Sequence, residues 1–469
     1  MISIIKRTKC VTTLGPASNS ADIIQQLVES GSSCARLNFS HGSHDEHLAR
    51  ILMIKQVSKQ LNMPVAIMLD TKGPEVRTHT FIKGSAEIKK NEIIMIIDNE
   101  EIIGTPEKFS VNYSNLAKDI KVNNNLLVDD GKLTLKVTAV KDHTVICQAL
   151  NTHTIKDRRA INIPNVKLSL PFISEKDKAD LIFGCQQKVD YVAASFVCSA
   201  ADIKAIRKVL DDNDGKHIQI IAKIESQLAV NNFDEILKES DAIMVARGDL
   251  GVEIPFEKVP FLEREWIKKC HNVNKPIIVA TQMLDSMIDN PHPTRAEVTD
   301  VWIAMNWGAT CTMLSGESAN GNYPILSIAT MSKILVDAES HQEQSKVAAD
   351  LLYGNDQLVA KTIKIIIEEK PQYVITNSQD SKYILTIANA HLPVYIIPIV
   401  ENVINYNKFA INSGIYTFLA NEGVSSIALG NPTQLVKSIS NSYIIPTKAK
   451  VLVVDVNNST KPFTTFIAK

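Results

Sequence analysis

Short apolar runs recur along the chain, and most end abruptly in charged or hydroxylic residues. In residues 1–72, CVTTL, CARLNF and VAIMLD read as strands, each too short and too continuously apolar for a surface helix. Helical periodicity fills the gaps. Asn19 or Ser20 can cap a helix whose apolar face takes in Ile23, Ile24, Leu27 and Val28, closed by Gly31. Ser43 stands three residues before Glu46, a capping box for a helix running through Leu48, Leu52 and Val57.

From residue 73 to 167 the period changes. Alternating stretches such as EIIMIID and KLTLKVTAV, divided by turn signals like Asp129-Asp130-Gly131, predict an inserted all-β lid domain. Strand–helix alternation resumes over 168–339 with YVAASF, IQIIAK, AIMVA, PIIVAT and TCTMLS, and Thr294 with Glu297 forms a second capping box. Three strands before the insertion and five after it fit an α/β fold of the (β/α)8 TIM-barrel kind. An open doubly wound sheet is the rival, and would not need eight such regular units. Residues 340–469 read as a C-terminal α/β domain with a mostly parallel sheet. Its strands are YVIT, VYIIPIV and VLVVD, its helices lie near 356–369, 381–391 and 432–441, and the linker falls around Glu339–Lys346.

Composition narrows the function classes. With 50 Lys+Arg against 51 Asp+Glu, no strong field favours nucleic acid or an acidic membrane surface. The seven cysteines are scattered without a C-x-x-C, so a disulfide framework or zinc site is not expected. No apolar run suits a signal peptide or a bilayer span, so a cytoplasmic protein is expected.

A barrel gathers its chemistry at the C-terminal ends of its strands. Here those ends carry Arg36, Asn38 and Ser40, then Asp70, Thr71 and Lys72, then Lys223 and Glu225, then Arg247, Gly248 and Asp249, then Thr281 and Gln282, then Ser315 and Glu317. Lys223, Glu225 and Asp249 lie on adjacent strand ends, where two carboxylates beside a lysine suit Mg²⁺ or Mn²⁺ next to an anionic substrate. Gly248, at a strand-to-helix turn, would present backbone N–H groups to a carboxylate. No triad, histidine ligand pair or P-loop is present, and the inventory suits phosphoryl transfer. Taken singly, each residue has a plainer account: Arg36 or Arg77 as a structural ion pair, Asn38, Ser40 and Thr71 as turn caps, Thr281 as an ordinary strand end, Ser315 and Glu317 as a helix start. The joint constellation is what points to function.

The segments RLNFSHG (36–42), LDTKGPEVRT (69–78), IAKIES (221–226), IMVARGDLGVEIP (243–255), ATQMLDSMI (280–288), PTRAEVTDV (293–301) and MLSGES (313–318) resemble the pyruvate kinase family, in order, from about residue 6 to 340. The resemblance implies transfer of a phosphoryl group from phosphoenolpyruvate to ADP, with Mg²⁺ (or Mn²⁺) and K⁺, by a homotetramer. It implies that Arg36 and Lys223 handle the phosphoryl group and that Glu225 and Asp249 bind Mg²⁺. Gly248, Asp249 and Thr281 would hold the carboxylate end, and Thr281 would serve a proton relay with Ser315 and Glu317. Asn38, Ser40, Asp70 and Thr71 match the K⁺ site, and Glu75 the acid that accompanies K⁺ dependence. Asn38, His41 and Arg77 would contact nucleotide.

Two stretches depart from the family pattern. Where relatives carry K-G-V-N-L-P-G, this chain has Arg159-Ala160-Ile161-Asn162-Ile163-Pro164-Asn165. Arg159 keeps the nucleotide-facing charge without the lysine's shape. The effector loop of many relatives is rich in Thr, Ser and Gly; here it reads Thr376-Asn377-Ser378-Gln379-Asp380-Ser381, and Asp380 would oppose a phosphate. Sugar-phosphate activation is therefore not expected. Two competing readings stand beside the kinase: a Mg²⁺-dependent lyase or mutase on a related barrel, which would lack the insertion, and an inactive regulatory homologue, which would not need Lys223, Glu225, Asp249 and Thr281 intact.

Overall fold

The computed structural model describes residues 2–3, 6–342, 356–420, 431–440 and 442–468. Eight parallel strands close into a barrel: Lys9–Leu14, Cys34–Asn38, Ala66–Asp70, Tyr191–Ala194, Gln219–Ile224, Ala242–Ala246, Ile277–Ala280 and Cys311–Leu314. They pair in chain order, and the eighth closes on the first. Both strand faces are buried, which is why the sequence reads as apolar runs rather than alternation. One face packs outward against the helices through residues such as Leu37, Leu69, Val192, Ile224 and Val245. The other fills the barrel with Val11, Cys34, Met68, Tyr191, Ile221, Met244 and Ile278.

Both capping boxes form. Ser43 Oγ accepts from Glu46 N at 3.3 Å while Glu46 Oε2 accepts from Ser43 N at 2.9 Å. Thr294 and Glu297 do the same at 3.2 and 2.7 Å. Ser20, not Asn19, caps the first helix, Ala21–Glu29. Leu52 does not lie on the core face of His44–Leu61; it is 57% exposed, because the 3.6-residue period passes instead through Ile51, Ile54 and Val57. The connection between the fifth and sixth strands is two helices, Gln227–Asn231 and Phe233–Glu239, joined at Asn232.

Between the third and fourth barrel strands the chain builds a seven-stranded, mostly antiparallel sheet. Its strands Ile93–Ile97, Leu133–Lys141 and Thr144–Ala149 fall on EIIMIID, KLTLKVTAV and the stretch after them. Alternation sends Ile94 and Ile96 into the core and leaves Ile93 and Met95 exposed. Asp129, Asp130 and Gly131 all take positive φ, making the turn their sequence suggested.

The last part holds a five-stranded sheet ordered Phe418–Leu419, Tyr395–Val400, Tyr373–Thr376, Lys450–Val454, Phe463–Ile467. The final strand is antiparallel and lies at an edge. Helices Gln357–Glu369, Ser381–Ala388 and Pro432–Ile439 accompany it. Ala410 and Ile411 from this part pack into the barrel-filling cluster and plug its N-terminal end. From residue 343 onward the expected linker lies outside the described residues.

Candidate active site

Period-two alternation sets the site. Continuing each inward face to the end of its strand gives Thr13 after Val11, Arg36 after Cys34, Asp70 after Met68, Ser195 after Tyr191 and Ala193, and Lys223 and Glu225 after Ile221. These side chains form one connected network. Arg36 Nε donates to Asp70 Oδ2 at 2.6 Å, and Arg36 Nη1 to Thr13 Oγ1 at 3.0 Å. Lys223 Nζ lies 2.8 Å from Glu225 Oε1, donates to Ser195 Oγ at 2.8 Å and reaches Asp70 Oδ1 at 3.3 Å. Burial works to lower the Lys223 pKa, but Asp70 and Glu225 outweigh it and hold the lysine charged. Burial likewise raises Asp70, yet Arg36 and Lys223 bring it below the usual carboxylate range.

The loop after the fourth strand grips this pair from the other side. Phe196 N donates to Glu225 Oε2 at 2.6 Å, one residue from the Ser195 contact to Lys223. That geometry needs Phe196 at φ 56, a conformation bulky residues rarely adopt. Gly73 lies against it: a Cβ there would come within 2.9 Å of the Phe196 ring and 3.0 Å of Ser195 Cβ.

Asp249 sits in the first turn of the helix Arg247–Glu253, directly after the sixth strand. Burial raises its pKa and Lys223 opposes this, with Asp130, Asp70 and Glu75 adding negative charge around it. A nearly buried carboxylate among other carboxylates suits a cation with oxygen ligands. Among the described residues no three His, Cys, Asp or Glu side chains converge as a closed metal cage. Mg²⁺ does not need one, since it is commonly held by one or two carboxylates plus substrate oxygens and water.

The Gly248 N–H is not free: it donates to Thr281 Oγ1 at 2.7 Å, and that hydroxyl donates to Ala280 O at 2.6 Å. Thr281 takes φ 67 and Gln282 φ 53, so the turn after the seventh strand is strained as well. Arg247 turns away from the strand end to Asp300 and to Thr281 O, at 2.7 and 2.9 Å. Ser315 and Glu317 act through backbone, Glu317 accepting from Ser315 N at 2.7 Å and from Leu284 N at 3.1 Å. This carboxylate ties together the loops after the seventh and eighth strands.

The remaining residues are spread over two loops and the insertion. Asn38 Oδ1 accepts from Ser40 N at 3.0 Å, and Thr71 O accepts from Ser195 Oγ at 2.6 Å. His41 is exposed on the loop after the second strand. Arg77 Nε and Nη2 fork onto Glu75 at 2.8 and 2.9 Å, and its Nη1 donates to Arg158 O. Arg159 Nε stands 3.6 Å from Asp129 Oδ1. A cleft of about 360 Å³ opens between the inserted sheet and the barrel, lined by Glu75, Asp130, Asn162, Asp249 and Glu253 among others.

A family model described as "Pyruvate kinase, barrel domain" matches residues 5–328, well over half of the chain. The chain belongs to the pyruvate kinase family. It is 42% identical to a pyruvate kinase of Clostridium acetobutylicum over 94% of both chains. It is 48% identical to that of Clostridium perfringens over 72% of this chain and 71% of the relative, and to that of Geobacillus stearothermophilus over 73% and 58%. Among solved structures, a pyruvate kinase from Cryptosporidium parvum superposes with a TM-score of 0.88 at 32% identity, covering 99% of this chain and 96% of the other. Pyruvate kinases are phosphotransferases that need metal ions. No helix among the described residues is long and apolar enough to cross a membrane.

Within this pyruvate kinase fold, three residues of the network were not singled out from the sequence: Thr13, Ser195 and Phe196. The signal for Ser195 was available, since it continues the inward face of the run YVAASF beyond the last paired residue. Phe196 carried no signal; its contribution is a backbone N–H aimed by a positive φ.

Proposed function

We propose that this network transfers a phosphoryl group from phosphoenolpyruvate to ADP, giving ATP and pyruvate in the cytoplasm. The observation that carries the reading is Lys223, a charged lysine held at the C-terminal mouth of the barrel between Asp70 and Glu225. Its ammonium would neutralise charge on the phosphoryl group as the bond to the enol oxygen breaks and the bond to the ADP oxygen forms. Arg36, fixed through Nε and Nη1, keeps Nη2 for phosphate oxygens. Gly248, Asp249 and Thr281 would orient the carboxylate end. The Thr281 hydroxyl, by turning from Ala280 O, would help deliver a proton to the methylene carbon of the enolpyruvate that leaves.

Glu225 and Asp249 would hold Mg²⁺ or Mn²⁺, and Asn38, Ser40, Asp70 and Thr71 would hold K⁺; both donor sets are built from oxygen. When bound, these cations neutralise and orient phosphoryl oxygens. Asn38, His41, Arg77 and Arg159 would face the nucleotide, with residues 73–167 acting as the lid over it. The protein would act as a homotetramer.

The test is pyruvate formation from phosphoenolpyruvate and ADP with Mg²⁺, first with K⁺ and then with tetramethylammonium in its place. Rapid turnover that collapses without K⁺ is the expected result. Folded protein with no turnover in either medium would overturn the reading.

A further inference from the structure

The Lys223 ammonium has three N–H donors and three oxygen partners: Glu225 Oε1, Ser195 Oγ and Asp70 Oδ1. Two of them are carboxylates from the two proposed cation sites. A carboxylate oxygen that ligates a cation has less to offer an ammonium. Ser195 belongs to neither ligand set, is 3% exposed, and is itself fixed by donating to Thr71 O at 2.6 Å, with Asp70 Oδ1 at 3.1 Å as an alternative. We propose that Ser195 is the positioning residue that keeps the Lys223 ammonium at the reacting centre once Glu225 and Asp70 are engaged by cations.

The loop is built for that role. Its backbone is anchored where Ser195 N donates to Thr71 Oγ1 at 3.1 Å and where Phe196 N donates to Glu225. Two successive residues therefore hold the two halves of one ion pair, so Lys223 can shift its second and third N–H bonds to phosphoryl oxygens without leaving the strand end. Gly73 packs so closely against Ser195 and Phe196 that a Cβ there would displace the loop. A hydroxyl suits the task because it accepts from the ammonium without adding negative charge beside an anionic substrate.

This inference rests on the proposed roles of Lys223, Glu225 and Asp70. The test is Ser195→Ala, with Ser195→Cys as a variant of similar volume and weaker acceptor should the first not fold. Turnover should fall by about 10²-fold, the scale of losing one preorganised contact, with KM for phosphoenolpyruvate changed by less than about threefold. A second measurement is independent of turnover: labelling of Lys223 by pyridoxal phosphate and borohydride, located by peptide mass spectrometry, in the presence of Mg²⁺ and K⁺. The variant's Lys223 should label several-fold faster than the parent's. Equal labelling in parent and variant, or turnover within about threefold of the parent, overturns the proposal. Lys223→Met, run alongside, separates the layers. An inactive Lys223→Met with a fully active Ser195→Ala overturns the Ser195 role alone. A fully active Lys223→Met overturns the reading of the site, and this inference with it.

Discussion

Arg77 and Glu75 grip each other through two parallel hydrogen bonds, Nε to Oε2 at 2.8 Å and Nη2 to Oε1 at 2.9 Å. The family resemblance gave these residues separate tasks, one linked to K⁺ and one to nucleotide. In the fold they are one unit at the edge of the cleft that also holds Asp249. The bidentate pair fixes the guanidinium plane and leaves Nη1 on Arg158 O.

Glu75→Lys should therefore do two things. A cation at this position would take over the electrostatic part of K⁺, so turnover in tetramethylammonium should approach that in K⁺. It would also place like charge beside Arg77, so KM for ADP should rise several-fold in either medium. Initial rates in the two salts, each at varied ADP, check both. A variant that still depends on K⁺ as the parent does would remove Glu75 from the cation argument.

Much of this site was legible because strand ends obey a fixed period. Arg36, Asp70, Lys223 and Glu225 could be placed together once each run was taken as a barrel strand, since every second residue of a run shares a face. What escaped was set by backbone conformation or by edge position. Phe196 works at positive φ, which no side-chain pattern announces; Thr281 was placed at its strand end, but its own positive φ was not. The edge strand Phe463–Ile467 went unread because it is half-exposed and carries two threonines at its middle, leaving no apolar alternation. Leu52 was misplaced for the opposite reason: an apolar residue one position off a helical stripe looks like part of it.

The loop that stands where many relatives bind an effector is already satisfied from within. Thr376 Oγ1 accepts from Ser378 N, Ser378 Oγ from Asp380 N, and Asp380 Oδ1 from Lys382 N at 2.8 Å, capping the helix Ser381–Ala388. Ser381 Oγ is taken by Lys408. The Asp380 carboxylate already occupies this helix start, where it would oppose a phosphate despite the nearby Lys408 ammonium. Phosphoenolpyruvate saturation curves with and without millimolar hexose bisphosphate should coincide within about twofold. A leftward shift of the half-saturation point beyond that would show that Asp380 does not close the loop to phosphate.

Thr281 joins strain to chemistry. A β-branched residue at φ 67 costs on the order of 1–3 kcal/mol, and it is held there with its hydroxyl on Gly248 N. Thr281→Ala should lower kcat by about 10²-fold through loss of the relay. Thr281→Ser, which keeps the hydroxyl and lacks the second branch, should recover most of it with unchanged or slightly higher melting temperature. Comparable loss in both variants would mean that the methyl group, not the hydroxyl, matters.

The last prediction concerns pH and the seam between the barrel and the last part. His271, near the end of the barrel helix Val259–Asn272, has its Nε2 2.7 Å from Gly308 O, which can only accept, so that nitrogen carries the proton. Its Nδ1 then accepts from His391 Nε2 at 2.9 Å. His271 is therefore neutral. Burial lowers the pKa of each; for His391, with His271 and Arg7 adding to burial, it falls to about 3. The unfolded chain binds protons on these rings below about pH 6.5 and the folded chain does not, so stability is full above that pH and declines as pH falls toward 3. Each ring contributes at most about 1.4 kcal/mol per pH unit in that window. Between pH 7 and about pH 5.5 the pair pulls the melting temperature down, while Asp190, Glu253 and Glu263, whose carboxyls burial raises to about 7, push it up, so the pair's share is read by comparing the parent with a variant. His391→Gln, which can still donate to His271 Nδ1, should make the melting temperature fall less, or rise more, from pH 7 to about pH 5.5 than in the parent, because one of the pair's two protons is no longer taken up on unfolding. An unchanged pH dependence in this variant would assign the acid sensitivity to other groups and leave the histidine pair as a packing contact alone.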